Sequence, residues 1–90
     1  MKIADDLISG EYAACVNIVP GLTSIYRWKG DIYKDNELLL IIKSRKSIFN
    51  DICSRIKALH PYEVPEIISY DISGGSESYL QWLLDSTGRR

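Results

Sequence analysis

Ninety residues carrying eleven basic and twelve acidic side chains make one small domain of net charge −1. That balance excludes a nucleic-acid backbone or an anionic membrane as the dominant partner. At 46% apolar and 26% charged the composition is that of an ordinary globular protein, yet a chain this short buries only about 60–65% of its unfolded surface and is marginal alone.

In chain order, residues 2–9 form a short predicted helix, with Ile3, Leu7 and Ile8 recurring near helical spacing and Gly10 as its C-terminal cap. Residues 12–19 make an almost continuous apolar strand, broken only by Asn17, a pattern expected of burial on both faces. Pro20-Gly21 marks a bulge, since proline removes a ladder donor and glycine tolerates unusual dihedrals. Residues 22–28 resume the strand, Lys29-Gly30-Asp31 turns it, and Ile32-Tyr33 pairs back before a second irregularity at Lys34-Asp35-Asn36. Residues 37–44 are a strand with five consecutive apolar side chains, Leu38 to Ile42.

Ser47 is the expected N-cap of a helix running to Leu59, whose stripe is Ile48, Phe49, Ile52, Cys53, Ile56 and Leu59. The stretch His60-Pro61-Tyr62-Glu63-Val64-Pro65-Glu66 follows as an elbow. Its prolines stop the helix and delay the next strand, expected over residues 64–72. Ser73-Gly74-Gly75 is a loop, Ser76 or Ser78 caps a last helix from Tyr79 to about Ser86, and Gly88 ends it. Helices on one face of an antiparallel sheet give an α+β two-layer sandwich, the ferredoxin-like plan without its first strand, as a single domain over residues 1–90.

The two cysteines, Cys15 and Cys53, make no disulfide framework and are read as small buried apolar residues. No apolar run approaches the roughly 20 residues that span a bilayer. The start lacks the layout of a signal peptide, so a cytoplasmic address is expected. One histidine and no phosphate loop around Gly74-Gly75 argue against an enzyme. Tyr26-Arg27-Trp28-Lys29 interleaves aromatic and basic residues but has no RNA-recognition signature, and interface packing is the better account.

The elbow, with Ala14-Cys15-Val16-Asn17-Ile18 and Ser24-Ile25-Tyr26-Arg27-Trp28-Lys29-Gly30 upstream, resembles the CutA family of divalent-cation tolerance proteins from about Ile3 to about Thr87. The resemblance implies a tight homotrimer whose long bent strands reach a neighbouring subunit. The residues agree with that. A ribbon at about 3.3 Å per residue outruns a 90-residue core, its edges need pairing, and Tyr26, Trp28 and Tyr33 suit an interface.

The family has a strand before its first helix, for which this chain shows no counterpart. Either the chain is a product shortened at its start, or the flanking strands pair directly, or a segment of another chain fills the gap. The resemblance also implies handling of a divalent metal, copper above all. Of the ligands proposed in family members, Glu66 alone has a match, Leu59 standing where a histidine would precede His60. His60, Glu66 and Glu63 are therefore the candidate metal ligands, with no cofactor otherwise required. Two alternatives belong to other classes. One is an effector-binding trimer resembling the nitrogen-regulatory PII proteins, with Lys43, Arg45 and Tyr62 in an inter-subunit cleft. The other is a structural trimer that anchors a partner.

Overall fold

A computed structural model describes residues 2–60 and 64–88. The chain opens with helix α1 (Lys2–Ser9), which buries Ile3, Ala4 and Leu7. Its end differs from expectation. Gly10 is not the left-handed residue; Glu11 takes that conformation at φ 61. Glu11 N–H then donates to the Ile8 carbonyl, while Tyr12 and Ala13 N–H both reach that of Leu7, so the helix closes on Glu11. Gly10 serves a different need: a Cβ there would lie 2.6 Å from the Tyr12 ring. Gly10→Ala should lower stability by about 1–2 kcal/mol, read by urea denaturation. An unchanged midpoint would show that the ring yields freely.

The ribbon comes next, strand β1 (Cys15–Trp28) against strand β2 (Asp31–Lys43), antiparallel. β1 starts later than residue 12 because Tyr12 and Ala13 are still tied to α1. The bulge at Pro20-Gly21 is present as a register shift between Val19 and Leu22, with Gly21 at φ 77. Lys29 and Gly30, at φ 52 and 86, form the two-residue turn whose twist suits a hairpin. The irregularity expected at Lys34-Asp35-Asn36 is not found. Those residues pair in register with Ile25, Ser24 and Thr23, because the two-residue turn leaves no extra residue to accommodate.

The bulge decides what each face carries. Val19 shares a face with Leu39 and Ile41; after the shift, Leu22, Tyr26 and Trp28 continue that face with Tyr33. On the other face Val16, Leu40 and Ile42 pack against the helices. Burial on both faces does not hold within one chain, since Ile18, Val19, Leu39 and Ile41 stay exposed.

A 3₁₀ turn (Lys46–Ile48) leads into helix α2 (Phe49–Leu59). Ser47 lies inside that turn and does not cap; neither start has a side-chain cap. The apolar stripe is otherwise as read, with Ile48, Ile52 and Ile56 buried beside Ile3, Leu7 and Ala13 in one cluster. Across that cluster Arg55 forks onto Asp6, Nε and Nη2 donating at 2.6 and 2.8 Å. This hydrogen bond holds the Asp6 carboxyl below its usual 3.8. The stabilisation is complete above that value and is lost as pH falls through the lower folded-state pKa. Asp6→Asn should therefore flatten the loss of stability below about pH 4. Parallel acid curves for variant and parent would refute it.

α2 ends as the prolines require. His60 N–H donates to the Ile56 carbonyl at 2.8 Å and its backbone is extended at φ −85, ψ 137. The strand expected over residues 64–72 is not formed: the sheet of the described residues is β1–β2 alone. Ile67 packs on the core, and Lys46 Nζ lies 3.8 Å from Asp71, so the segment finishes beside the end of β2. Both therefore run the same way, joined through α2. Two such strands in an antiparallel sheet are separated by one that opposes both. Among the described residues, 64–72 have packing but no ladder. Ser76 caps the last helix, α3 (Glu77–Asp85), accepting from Tyr79 N–H.

Candidate functional site

His60 sits where α2 stops, at the end of the buried Ile52–Ile56 stripe and half-buried itself. Glu66 follows in the extended segment, between half-buried Pro65 and Ile67, with its own residue exposed. Tyr62 and Glu63 lie outside the described residues. Among the described residues, no three His, Cys, Asp or Glu side chains cluster closely enough to hold a metal. The described residues of the elbow thus offer one imidazole and one exposed carboxylate, a donor set too small by itself for a transition-metal centre.

Lys43 and Arg45 part company. Lys43 closes β2 with its Nζ 3.9 Å from Cys15 Sγ. Arg45 turns the other way: Nε donates to Thr87 Oγ1 at 3.0 Å and Nη2 to the Leu84 carbonyl. The guanidinium so occupies the C-terminal end of α3, where carbonyls lack helical partners. Of the two side chains, Arg45 is committed to holding the fold. The open concavities among the described residues lie elsewhere, one along Glu77, Ser78 and Gln81, another around Tyr12, Asp51, Ser54, Arg55 and Ala58.

Tyr26, Trp28 and Tyr33 come together at the far end of the ribbon. Tyr26 and Tyr33 are register partners, stacked at 5.8 Å between centroids. Tyr26 hydroxyl bonds Asp35, Ser24 hydroxyl bonds Glu37 at 3.1 Å, and Lys29 lies 5.6 Å over the Trp28 ring. Reading the residues one by one missed this hydroxyl–carboxylate ladder. The two-residue turn at Lys29-Gly30 would have found it, because that turn alone sets which residues face each other.

Residues 1–86 match the profile of the family described as CutA1 divalent ion tolerance protein. The divalent-cation tolerance protein CutA of Thermus thermophilus is 54% identical over 86 residues, which cover 96% of this chain and 84% of that protein. Its structure superimposes at a TM-score of 0.94, covering 97% of this chain and 84% of that one. The chloroplastic protein CutA of Arabidopsis thaliana is 48% identical over 96% of this chain, which spans only 47% of that relative's length. The periplasmic divalent cation tolerance protein CutA of Archaeoglobus fulgidus has a structure 34% identical in sequence, with a TM-score of 0.91 over 94% of this chain and 82% of that one. The architecture is therefore α+β and ferredoxin-like, as the element pattern predicts. Among the described residues no helix is long and apolar enough to cross a membrane. The names of these relatives place them in more than one compartment.

Proposed function

The chain belongs to the CutA1 family of divalent ion tolerance proteins, and from this we propose that it works as a cytoplasmic homotrimer, without catalysis, that takes a divalent cation such as Cu²⁺ at a boundary between subunits. One observation carries the reading. The helix-free face of the ribbon carries large apolar and aromatic side chains, Val19, Leu22, Tyr26, Tyr33, Leu39 and Ile41 among them, all exposed in a single chain, with Ser24, Asp35 and Glu37 hydrogen-bonded between them. A face of that extent on a soluble protein calls for another chain. The family's fold supports three copies sharing their ribbons, which would cover the ribbon edges as well.

The donor set points to the same boundary. His60 and Glu66, with Glu63 beside them in sequence, supply too few ligands from one copy. A site completed by a second copy would meet the requirement. Its formation would then follow assembly. Titration calorimetry with Cu²⁺ should show affinity at least tenfold weaker for the His60→Ala, Glu66→Ala double variant, with the solution mass unchanged. Equal binding would remove these residues from the site.

The effector-cleft reading draws on Lys43, Arg45 and Tyr62. It ranks second because Arg45 already spends its donors on Leu84 and Thr87. An anchoring role shares the trimer and differs only in needing no cation.

A further inference from the structure

We propose that the tip of the ribbon docks by its helix-side face on α3 of a neighbouring copy, and that the charges of Arg27, Lys34 and Asp85 select which copies join. The contact rests on the assembly proposed above and adds to it a second surface, on the opposite face of the ribbon.

The register sorts the charges of the tip by face. Ile25 pairs with Lys34 and Arg27 with Ile32, and both pairs keep the parity of Leu40 and Ile42, which turns them to the helix side. Asp31, Asp35 and Glu37 all fall on the other face. The patch is thus two diagonal pairs, one aliphatic and one basic. Ile25 and Ile32 are 69% and 67% exposed, more than any residue named on the helix-free face. Arg27 and Lys34 have no acidic partner among the described residues.

α3 carries the complement. It buries Leu83 alone, and Tyr79, Trp82 and Asp85 recur at three-residue spacing along another flank. The Tyr79 and Trp82 rings lie 5.6 Å apart, both exposed. Glu77 and Asp85 are the only charged side chains of the helix, and Asp85 is held by Gln81 of its own helix at 2.9 Å. An aromatic pair beside a carboxylate matches an aliphatic pair beside two cations. The isoleucines would cover the rings, and a guanidinium suits both an indole face and a carboxylate.

Distance makes the occupant a second copy. Arg45 fixes the C-terminal end of α3 beside the end of β2. Lys34 stands eleven residues back along that strand, about 36 Å at 3.3 Å per residue, while α3 is only about 14 Å long. The two patches are too far apart to meet within one molecule whose longest extent is 46 Å. Contact between different patches of like chains runs head to tail and can close into a ring. Like charges set against each other across such a contact disfavour the wrong partner.

Native mass spectrometry of isotopically labelled and unlabelled copies reads the exchange of subunits. The Arg27→Glu, Lys34→Glu double variant and Asp85→Lys should each exchange at least tenfold faster than the parent. The triple variant, with all three charges reversed, should return to the parent's rate. Mixed with the parent it should sort into separate assemblies, because every mixed ring sets base against base at one contact and acid against acid at another. The proposal is overturned if the reversed variants exchange at the parent's rate, if the triple variant does not recover, or if it mixes statistically with the parent. A parent that light scattering finds as a single chain overturns the assembly and this contact with it. An assembled parent indifferent to these charges overturns the contact alone.

Discussion

Ile41→Glu is expected to convert the protein from a species of about three times the 10.2 kDa chain mass to a single chain at micromolar concentration. Ile41 is 45% exposed in one chain, and it lies on the helix-free face with Leu39 and Val19, so a carboxylate there costs the isolated fold little. In an assembly that covers this face, each copy would bury an unpaired charge. That costs several kcal/mol per copy, enough to abolish association at any accessible concentration. Lys57→Glu on the exposed side of α2 is the matching control and should leave the mass unchanged. Light scattering decides between them. A parent protein that is already a monomer, or an Ile41→Glu variant of unchanged mass, would refute the account of the ribbon face.

Arg45→Ala is expected to free the last helix. The guanidinium is the donor to both the Leu84 carbonyl and Thr87 Oγ1. Thr87 is 1% exposed, and its hydroxyl passes a bond on to the Leu83 carbonyl at 2.9 Å. Gly88 lies so close that a Cβ would sit 3.2 Å from Arg45 Nε, and its N–H reaches the Glu11 carbonyl at 3.0 Å. These contacts tie the end of α3 to the ends of β2 and α1. Truncating Arg45 leaves acceptors without a charged donor, at about 2–3 kcal/mol. Amide exchange across Glu77–Asp85 should then accelerate about a hundredfold, with the α1–α2 core little changed. Arg45→Lys should restore part of the protection, since an ammonium reaches one acceptor but cannot fork. Unchanged exchange in α3 would assign Arg45 to a role outside the fold, such as the effector cleft.

Local chemistry made much of the fold legible. The stripe Ile48, Ile52, Ile56 could only be a helix face, Pro20-Gly21 could only be an irregularity in the strand, and Pro61 had to make His60 extended. Each of these features depends on a residue and its near neighbours. The structure departs from expectation where the backbone path, not residue type, decides. Gly10 suits a left-handed cap by type, whereas the Tyr12 ring sets its smallness and Glu11 takes the positive φ. Ser47 suits a cap by type, whereas a 3₁₀ turn draws it inside. The metal candidates show the same division. His60 and Glu66 could be singled out by type and by family resemblance, but the number of donors that converge is a property of space.

From sequence alone came the family, the α+β plan, the turn at Lys29-Gly30-Asp31, the end of α2 and the aromatic load of the ribbon. All of these follow from periodicity, backbone restriction and motif order, which act over a few residues at a time. The tertiary structure decided that the bulge brings Val19, Tyr26 and Trp28 onto one face, that Arg45 belongs to α3, and that residues 64–72 stand beside β2 without a ladder. Those outcomes needed pairing partners far apart in the chain. A strand's bonds, unlike a helix's, are made to another segment, so no stretch can state by itself whether they will be made.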